Sequence, residues 1–378
     1  ISWIFLGAIG GIYFYLPRQC NLTLWSFRAA SVHFWVFLFT GFAILFSYLS
    51  GKFGGREYFE YPIVLSIPIF LSWFMFGVNY FKTVGKDKQP WPVYYWMWGT
   101  GIVFFFITFS ESYLWLFPYF RENMVREISV QWKSYGALTG SWNMLVYGTA
   151  IYVVSRISGN SQATHTKLAY SLYFLGLFNL MFGWAHHTYL VPSGTWIRTF
   201  AYAVSMTELL VLGKILWDWR QSLDTLQKHR HCNAYLFMFA ADIWIFINLI
   251  LALIISVPAF NLITHGTHIT VAHSMGSTIG INTMILLSSV FFIIGTRLWA
   301  IGKRLGYVTQ VQFFRERFQS HTLGTVLFVL LVLFIIPYLL IGIISAGKFM
   351  QGTAGLDPRL TGLVVCAVVL IYVFLGGV

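Results

Sequence analysis

Charge is scarce in this chain: Asp, Glu, Lys and Arg make up only 10% of its 378 residues. A soluble domain carries about 25%, so a surface facing water on all sides is excluded. Apolar residues take the place of charge. The chain is 58% hydrophobic and 20% aromatic, and its mean hydropathy is +0.71. It is read as an all-α polytopic membrane protein, because only helices and closed barrels satisfy their backbone in lipid. Acids are rarer than bases, 12 against 24, which gives a net charge of +12. In such a chain a basic excess belongs to loops on one side of the membrane, not to a nucleic-acid surface. Cysteine is almost absent. Cys20, Cys232 and Cys366 are far apart with no CxxC spacing. That excludes a disulfide framework or a cysteine-ligated cluster and leaves each as a small packing residue. No low-complexity linker and no convincing internal repeat interrupts the chain, so residues 1–378 are read as one domain. Without broken-helix repeats an ion-coupled transporter is disfavoured.

What is present is a succession of apolar runs. A helix needs about 20 such residues to cross a bilayer, and eleven segments can be placed on that basis. They are Ile1–Leu16, Ser26–Leu49, Tyr61–Phe81, Val93–Phe117, Gly136–Val154 and Lys167–His187, then Trp196–Trp217, Cys232–Pro258, Val271–Trp299, Thr322–Ala346 and Arg359–Val378. The chain starts and stops inside apolar runs, so both ends are expected to be truncations of a longer protein. Lys and Arg collect in the loops after odd-numbered segments, for example Lys82, Lys86, Arg156 and Lys303, while loops 187–196 and 258–271 contain none. The positive-inside rule then puts the odd loops in the cytoplasm. It also brings His186, His187, His265, His268 and His273 to one depth on the outer side.

The stretch GWAHHTYLVPSGTWIRTFAYAVSMTE, residues 183–208, holds adjacent His186 and His187 at the end of one apolar segment and Glu208 inside the next. Neutral imidazoles bind iron, copper or zinc, and an acid retained inside a membrane usually has a task. The plainer alternative is that the histidines mark the water interface and Glu208 is a hydrogen-bonded core acid. A second constellation, THGTHITVAHSMGSTIGINTM, residues 264–284, places His273 just inside a helix. Ser274, Gly276, Ser277 and Gly280 follow it, small enough for a flat bulky group to approach the backbone. Beside a histidine pair at the same depth, His273 reads as a haem ligand opposite a second metal. Met275 is either packing or a second haem ligand.

These stretches together carry a resemblance. LGAIGGIYFYLP (6–17), HFWVF (33–37), GREYFEYP (55–62), GWAHHTYLVP (183–192), SMTE (205–208) and THGTHITVAHSMG (264–276) are similar to the large catalytic subunit of bacterial nitric oxide reductases, within the haem–copper oxidase superfamily. The similarity runs through essentially the whole chain. It implies a haem–copper oxidase-like bundle of about twelve transmembrane helices, with Ile1 in the second and one helix missing before it. His186 and His187 then correspond to ligands of a non-haem iron (copper being the other metal considered), and His273 to the proximal ligand of a high-spin haem b. Glu208 corresponds to an acid that handles protons near these metals. Glu57 corresponds to the ligand of a structural calcium and Glu60 to a proton-pathway acid, although a hydrated loop acid is an equal reading of both. His33 falls where the family has an apolar residue and is read as a packing histidine.

The departures matter as much. Where the family has a third iron histidine and two glutamates at four-residue spacing, this chain has Tyr135, Thr139 and Asn143. Tyr135 is read either as a phenolate ligand completing the shell or as a hydrogen-bond donor beside an empty metal site. Met275 stands where a histidine ligates a low-spin haem b, whose other ligand would precede Ile1. The resemblance implies reduction of nitric oxide to nitrous oxide, with electrons from a membrane-anchored cytochrome c subunit or from quinol. It also implies a multi-pass protein of the bacterial inner membrane with its active site toward the periplasm. Because of the departures, nitric oxide dismutation, dioxygen reduction and a non-catalytic haem-bearing subunit stay open.

Overall fold

The structure, a computed structural model, describes residues 2–20, 23–56, 58–206, 228 and 231–376. Among them are helices and no strand beyond a single bridge between Arg56 and Phe59, so the chain is the all-α membrane bundle expected. Each apolar segment forms a helix or begins one. We label them α1 (Ser2–Cys20), α2 (Phe27–Leu49), α3 (Ser66–Val84), α4 (Val93–Glu111), α5 (Met124–Ser158) and α6 (Lys167–Phe182). Then follow α7 (195–206), α8 (Cys232–Ser256), α9 (His268–Leu305), α10 (His321–Ala354) and α11 (Pro358–Gly376). Seven helical runs among the described residues are long and apolar enough to cross a membrane. Helix α5 is not one of them: its first turns carry Arg126, Glu127, Gln131 and Lys133, and its deeper turns are diluted by Gly136, Gly140, Ser141, Asn143 and Gly148. The first turns lie outside the expected segment Gly136–Val154, so the helix starts three turns earlier than hydropathy alone indicates.

By its contacts the chain divides into two compact units, Ile1–Thr296 and Arg297–Val378. In the second, α10 packs along α11, and the turn between them is shaped by Gly355 (φ +66°) and by Asp357, whose Oδ1 caps the amides of Arg359 and Leu360. The first unit has an aromatic core in which Trp73, Trp98, Tyr15, Tyr80, Tyr95, Phe5 and Phe76 are fully buried. Helix α9 is its hub. Tyr15 of α1 meets Ser289 Oγ at 2.8 Å, Asn282 donates to Asn143 of α5 at 3.0 Å, and Ser288 donates to the Ala234 carbonyl of α8 at 2.7 Å. Two stretches of α9, Gly276–Thr283 and Phe291–Gly295, are wound as π-helix.

Helices α5 and α6 approach unusually closely, and two glycines one turn apart allow it. A Cβ on Gly136 would collide with Trp184 Cβ, and one on Gly140 would lie 2.8 Å from Leu180 Cα. Small residues at four-residue spacing are the usual means of bringing two membrane helices together.

One expectation changes and another holds. Cys232 is exposed and Cys366 only half-buried, so neither is a fully packed core residue. His33 does pack: it is 2% exposed, shares a 3.1 Å hydrogen bond with the Tyr13 hydroxyl and stacks on Phe76 at 5.2 Å.

Candidate metal centre

His186 and His187 ride on a 3-10 turn, Gly183–Thr188, that continues α6. The tighter winding sets neighbouring side chains about 120° apart, and the Thr188 hydroxyl ties the turn by donating to the Ala185 carbonyl at 2.9 Å. The close approach of α5 then determines what each imidazole meets. His187 stacks on Trp132 with centroids 4.9 Å apart and planes 13° from parallel. His186 lies 4.2 Å from His187 and 5.8 Å from His273, the latter edge-on at 73°. His265 is within electrostatic reach of both members of the pair. The structure thus brings His186, His187 and His273 into one cluster, as their common depth implies.

Both ring nitrogens of His186 and Nδ1 of His273 are buried without a hydrogen-bond partner. Buried polar atoms are seldom left so, and unprotonated imidazole nitrogen is a metal donor. In chemistry, the pair fits a non-haem metal. Among the described residues, no three His, Cys, Asp or Glu side chains are grouped to hold one ion. A haem on His273 fits by donor but not by spacing. Metal–nitrogen bonds of about 2 Å on each side of two metal centres need a wider gap than the 5.8 Å between the rings of His186 and His273. A haem facing a metal here requires these rings to separate. The small residues after His273 also serve a different purpose from the one expected. A Cβ on Gly276 would meet Asn248 Oδ1 at 2.6 Å, and one on Gly280 would collide with the Trp244 ring. At both glycines helix α8 packs against the backbone of α9.

The departures from the family pattern lie along one face of α5. Tyr135 is 3% exposed and packs edge-on against Tyr58 at 5.1 Å and tilted against Phe59 at 5.5 Å. It also lines a small pocket with Arg56, Glu111 and Glu127. Arg56 pairs with Glu127 and Lys133 with Glu111, so this pocket is charged but balanced. Thr139 donates to the Tyr135 carbonyl at 3.1 Å, and Asn143 accepts from Asn282. The aromatic that touches the pair is Trp132, one turn before Tyr135. Met275 is 47% exposed. Glu60 Oε1 accepts the Tyr58 amide at 3.0 Å, as a loop acid does. Glu208 and Glu57 lie outside the described residues.

Sequence reasoning missed Asn261. This residue, 3% exposed in the short helix Pro258–Thr264, donates to the carbonyls of His186 at 3.0 Å and Ile255 at 2.8 Å. One amide thereby clamps the histidine turn to the end of α8. Its only sequence signal is an amide in the mostly apolar PAFNLIT. Asn261→Leu strands two carbonyls, each costing about 1–3 kcal/mol when buried. We expect a lower thermal midpoint and weaker retention of metal by the pair. A midpoint equal to that of the parent protein would show that the clamp contributes nothing.

Comparison with known proteins places this geometry in context. The family model described as "Cytochrome C and Quinol oxidase polypeptide I" matches residues 1–376. The chain is 21% identical over 309 residues to a nitric oxide reductase subunit from Stutzerimonas stutzeri, an alignment covering 77% of this chain. It spans 64% of that relative's length.

Proposed function

The chain belongs to the cytochrome c and quinol oxidase polypeptide I family, and from that premise we propose that it is a haem and non-haem-metal oxidoreductase reducing nitric oxide to nitrous oxide. In that reaction two nitric oxide molecules, two electrons and two protons give one nitrous oxide and one water. The observation that carries the reading is the adjacent His186–His187 pair with His273 against it, His186 being buried with neither ring nitrogen given a hydrogen-bond partner. The similarity to a nitric oxide reductase subunit supports the choice of substrate.

In this reading His186 and His187 would hold the non-haem iron or copper, His273, once its ring parts from that of His186, would hold a high-spin haem b, and Met275 would hold one side of a low-spin haem b. When bound, these groups would pass on the donor's electrons and keep two small diatomic molecules adjacent, which is catalysis by proximity. The protein's own contributions are positional. Trp132 holds the His187 ring in one orientation through face-to-face stacking, and Asn261 holds the His186 backbone. Thr139 and Asn143 carry a hydroxyl and an amide, neither of them an acid near neutral pH. Proton delivery is therefore assigned to Glu208, and Tyr135 acts as a hydrogen-bonding group on the charged pocket beside the centre. Glu57 is proposed as a calcium ligand. We further propose that the chain works as one domain in the bacterial inner membrane. Its centre would face the periplasm and take electrons from a cytochrome c subunit or quinol.

A second reading is favoured by one observation: among the described residues no third His, Cys or acid is placed to hold the same ion as the pair. An altered reaction (nitric oxide dismutation or dioxygen reduction) or a haem-bearing subunit without catalysis would suit such a thinned donor set. Elemental analysis combined with a reduced-minus-oxidised haem spectrum separates the readings. Two haems and one further iron or copper per chain, with anaerobic consumption of nitric oxide and matching nitrous oxide, is the expected result. Haem without the further metal, and no gas turnover, would move the protein to the electron-transfer reading.

A further inference from the structure

At the far end of α5 from the histidine cluster, the chain builds a polar pocket that the proposed reaction does not use. About twenty residues of helix at 1.5 Å per residue separate the two. Helix α5 ends at Gly159, whose φ of +67° turns the chain back on itself. The 3-10 turn Ser161–His165 then folds over the helix end. Asn160 caps it by accepting the Ala163 amide at 3.2 Å, and Thr164 donates to the Ser161 carbonyl at 2.7 Å. The resulting pocket, about 170 Å³, is lined by Tyr94, Ser155, Arg156, Ser161, Thr164 and His165, beside Gly159. Tyr94, Ser155 and Thr164 form a buried floor, while Arg156 and His165 stand exposed at the rim.

Its chemistry has one sign. The lining contains a guanidinium, an imidazole and hydroxyl groups, and no carboxylate. Arg156 enters no ion pair among the described residues. From Tyr152 to Leu168 the sequence has no Asp or Glu, yet it carries Arg156, His165 and Lys167. Arg18 of α1 is also within electrostatic reach of Tyr152, as is Arg156. The hydroxyl protons of Ser155 and Thr164 are already given to backbone carbonyls, so donors for a ligand come from Arg156, Ser161 and His165. A guanidinium is a planar fork suited to two oxygens of a tetrahedral anion. The volume admits a phosphate group with several waters.

We propose that this pocket binds a phosphate-class anion, with Arg156 as its principal ligand and His165 and Ser161 as secondary donors. The group comes either from an anionic phospholipid headgroup, since basic residues at a membrane edge attract such lipids, or from free phosphate in solution. The test uses the purified full chain, first delipidated in neutral detergent. Its thermal midpoint is titrated with inorganic phosphate against chloride at matched ionic strength. It is then titrated in mixed micelles with phosphatidylglycerol against phosphatidylcholine.

A saturable rise with phosphatidylglycerol alone identifies a lipid headgroup, and a rise with inorganic phosphate as well identifies a free-anion site. Either result supports the pocket, provided the Arg156→Gln/His165→Gln variant needs about tenfold more ligand for half-saturation, as loss of charge-assisted hydrogen bonds predicts. Arg156→Lys, which keeps the charge and loses the fork, is expected to fall between and serves if the double variant does not fold. Lys303→Gln/Arg304→Gln, basic residues outside the pocket, is expected to respond like the parent. No rise over chloride and phosphatidylcholine, or equal responses from parent and Arg156 variants, would overturn the proposal.

Discussion

His186→Ala is expected to lose its non-haem metal and keep its haem. Among the described residues His186 supplies one imidazole of the pair, and its unprotonated ring nitrogen can take a metal. Loss of an outer-shell partner alone typically weakens a metal site 10–100-fold, so loss of a direct ligand is expected to cost about a hundredfold or more. The backbone should not suffer, because the tie from Asn261 goes to the His186 carbonyl, which alanine retains. Nor should His273 move with it, since α9 is held to α1, α5 and α8 by bonds that do not involve His186. The measurement is the ratio of non-haem metal to haem in parent and variant. An unchanged ratio would remove the basis for the site. Parallel loss of both would instead indicate a folding defect.

Gly136→Leu is expected to be the most damaging single change in the scaffold. A side chain there meets Trp184 Cβ, a carbon fixed to the backbone that cannot swing aside, and Gly140 one turn later faces the backbone of Leu180. Overpacking usually costs about 1–3 kcal/mol and more when backbone must shift. The shift would carry the turn Gly183–Thr188 outward and lift His187 from Trp132. We expect a steep fall in monodisperse yield and, in the protein recovered, loss of the non-haem metal. Gly136→Ala should show the same defects in milder form. A Gly136→Leu protein with parental yield and metal content would contradict the packing described here.

The helices were legible in the sequence because lipid demands long apolar runs, and every segment read that way forms a helix or begins one. Helix α5 shows the limit. Its opening turns are polar and ion-paired through Glu127 and Lys133, so apolarity marks only its deeper part. The cluster of His186, His187 and His273 was legible because adjacency and a shared membrane depth are both sequence properties. Trp132 and Asn261 were not, since their roles depend on which helices touch. The use of Gly276 and Gly280 by Asn248 and Trp244 was hidden for the same reason. A run of small residues announces a close neighbour but does not say which.

Winding α9 partly as π-helix has a consequence for how this protein tolerates change. A π-turn holds one more residue than the α-turn it replaces, and each residue of an α-helix advances the side-chain direction by about 100°. The stretch Gly276–Thr283 therefore acts as a phase offset between His273, on one side of it, and the residues beyond, which reach α1 and α8. Deleting one residue there would restore a regular helix and leave Ser288 and Ser289 facing Ala234 and Tyr15, whereas deleting one from the α-wound turns on either side would rotate everything beyond it by about 100°. In this helix the number of residues between two contacts is as much a part of the design as their identity.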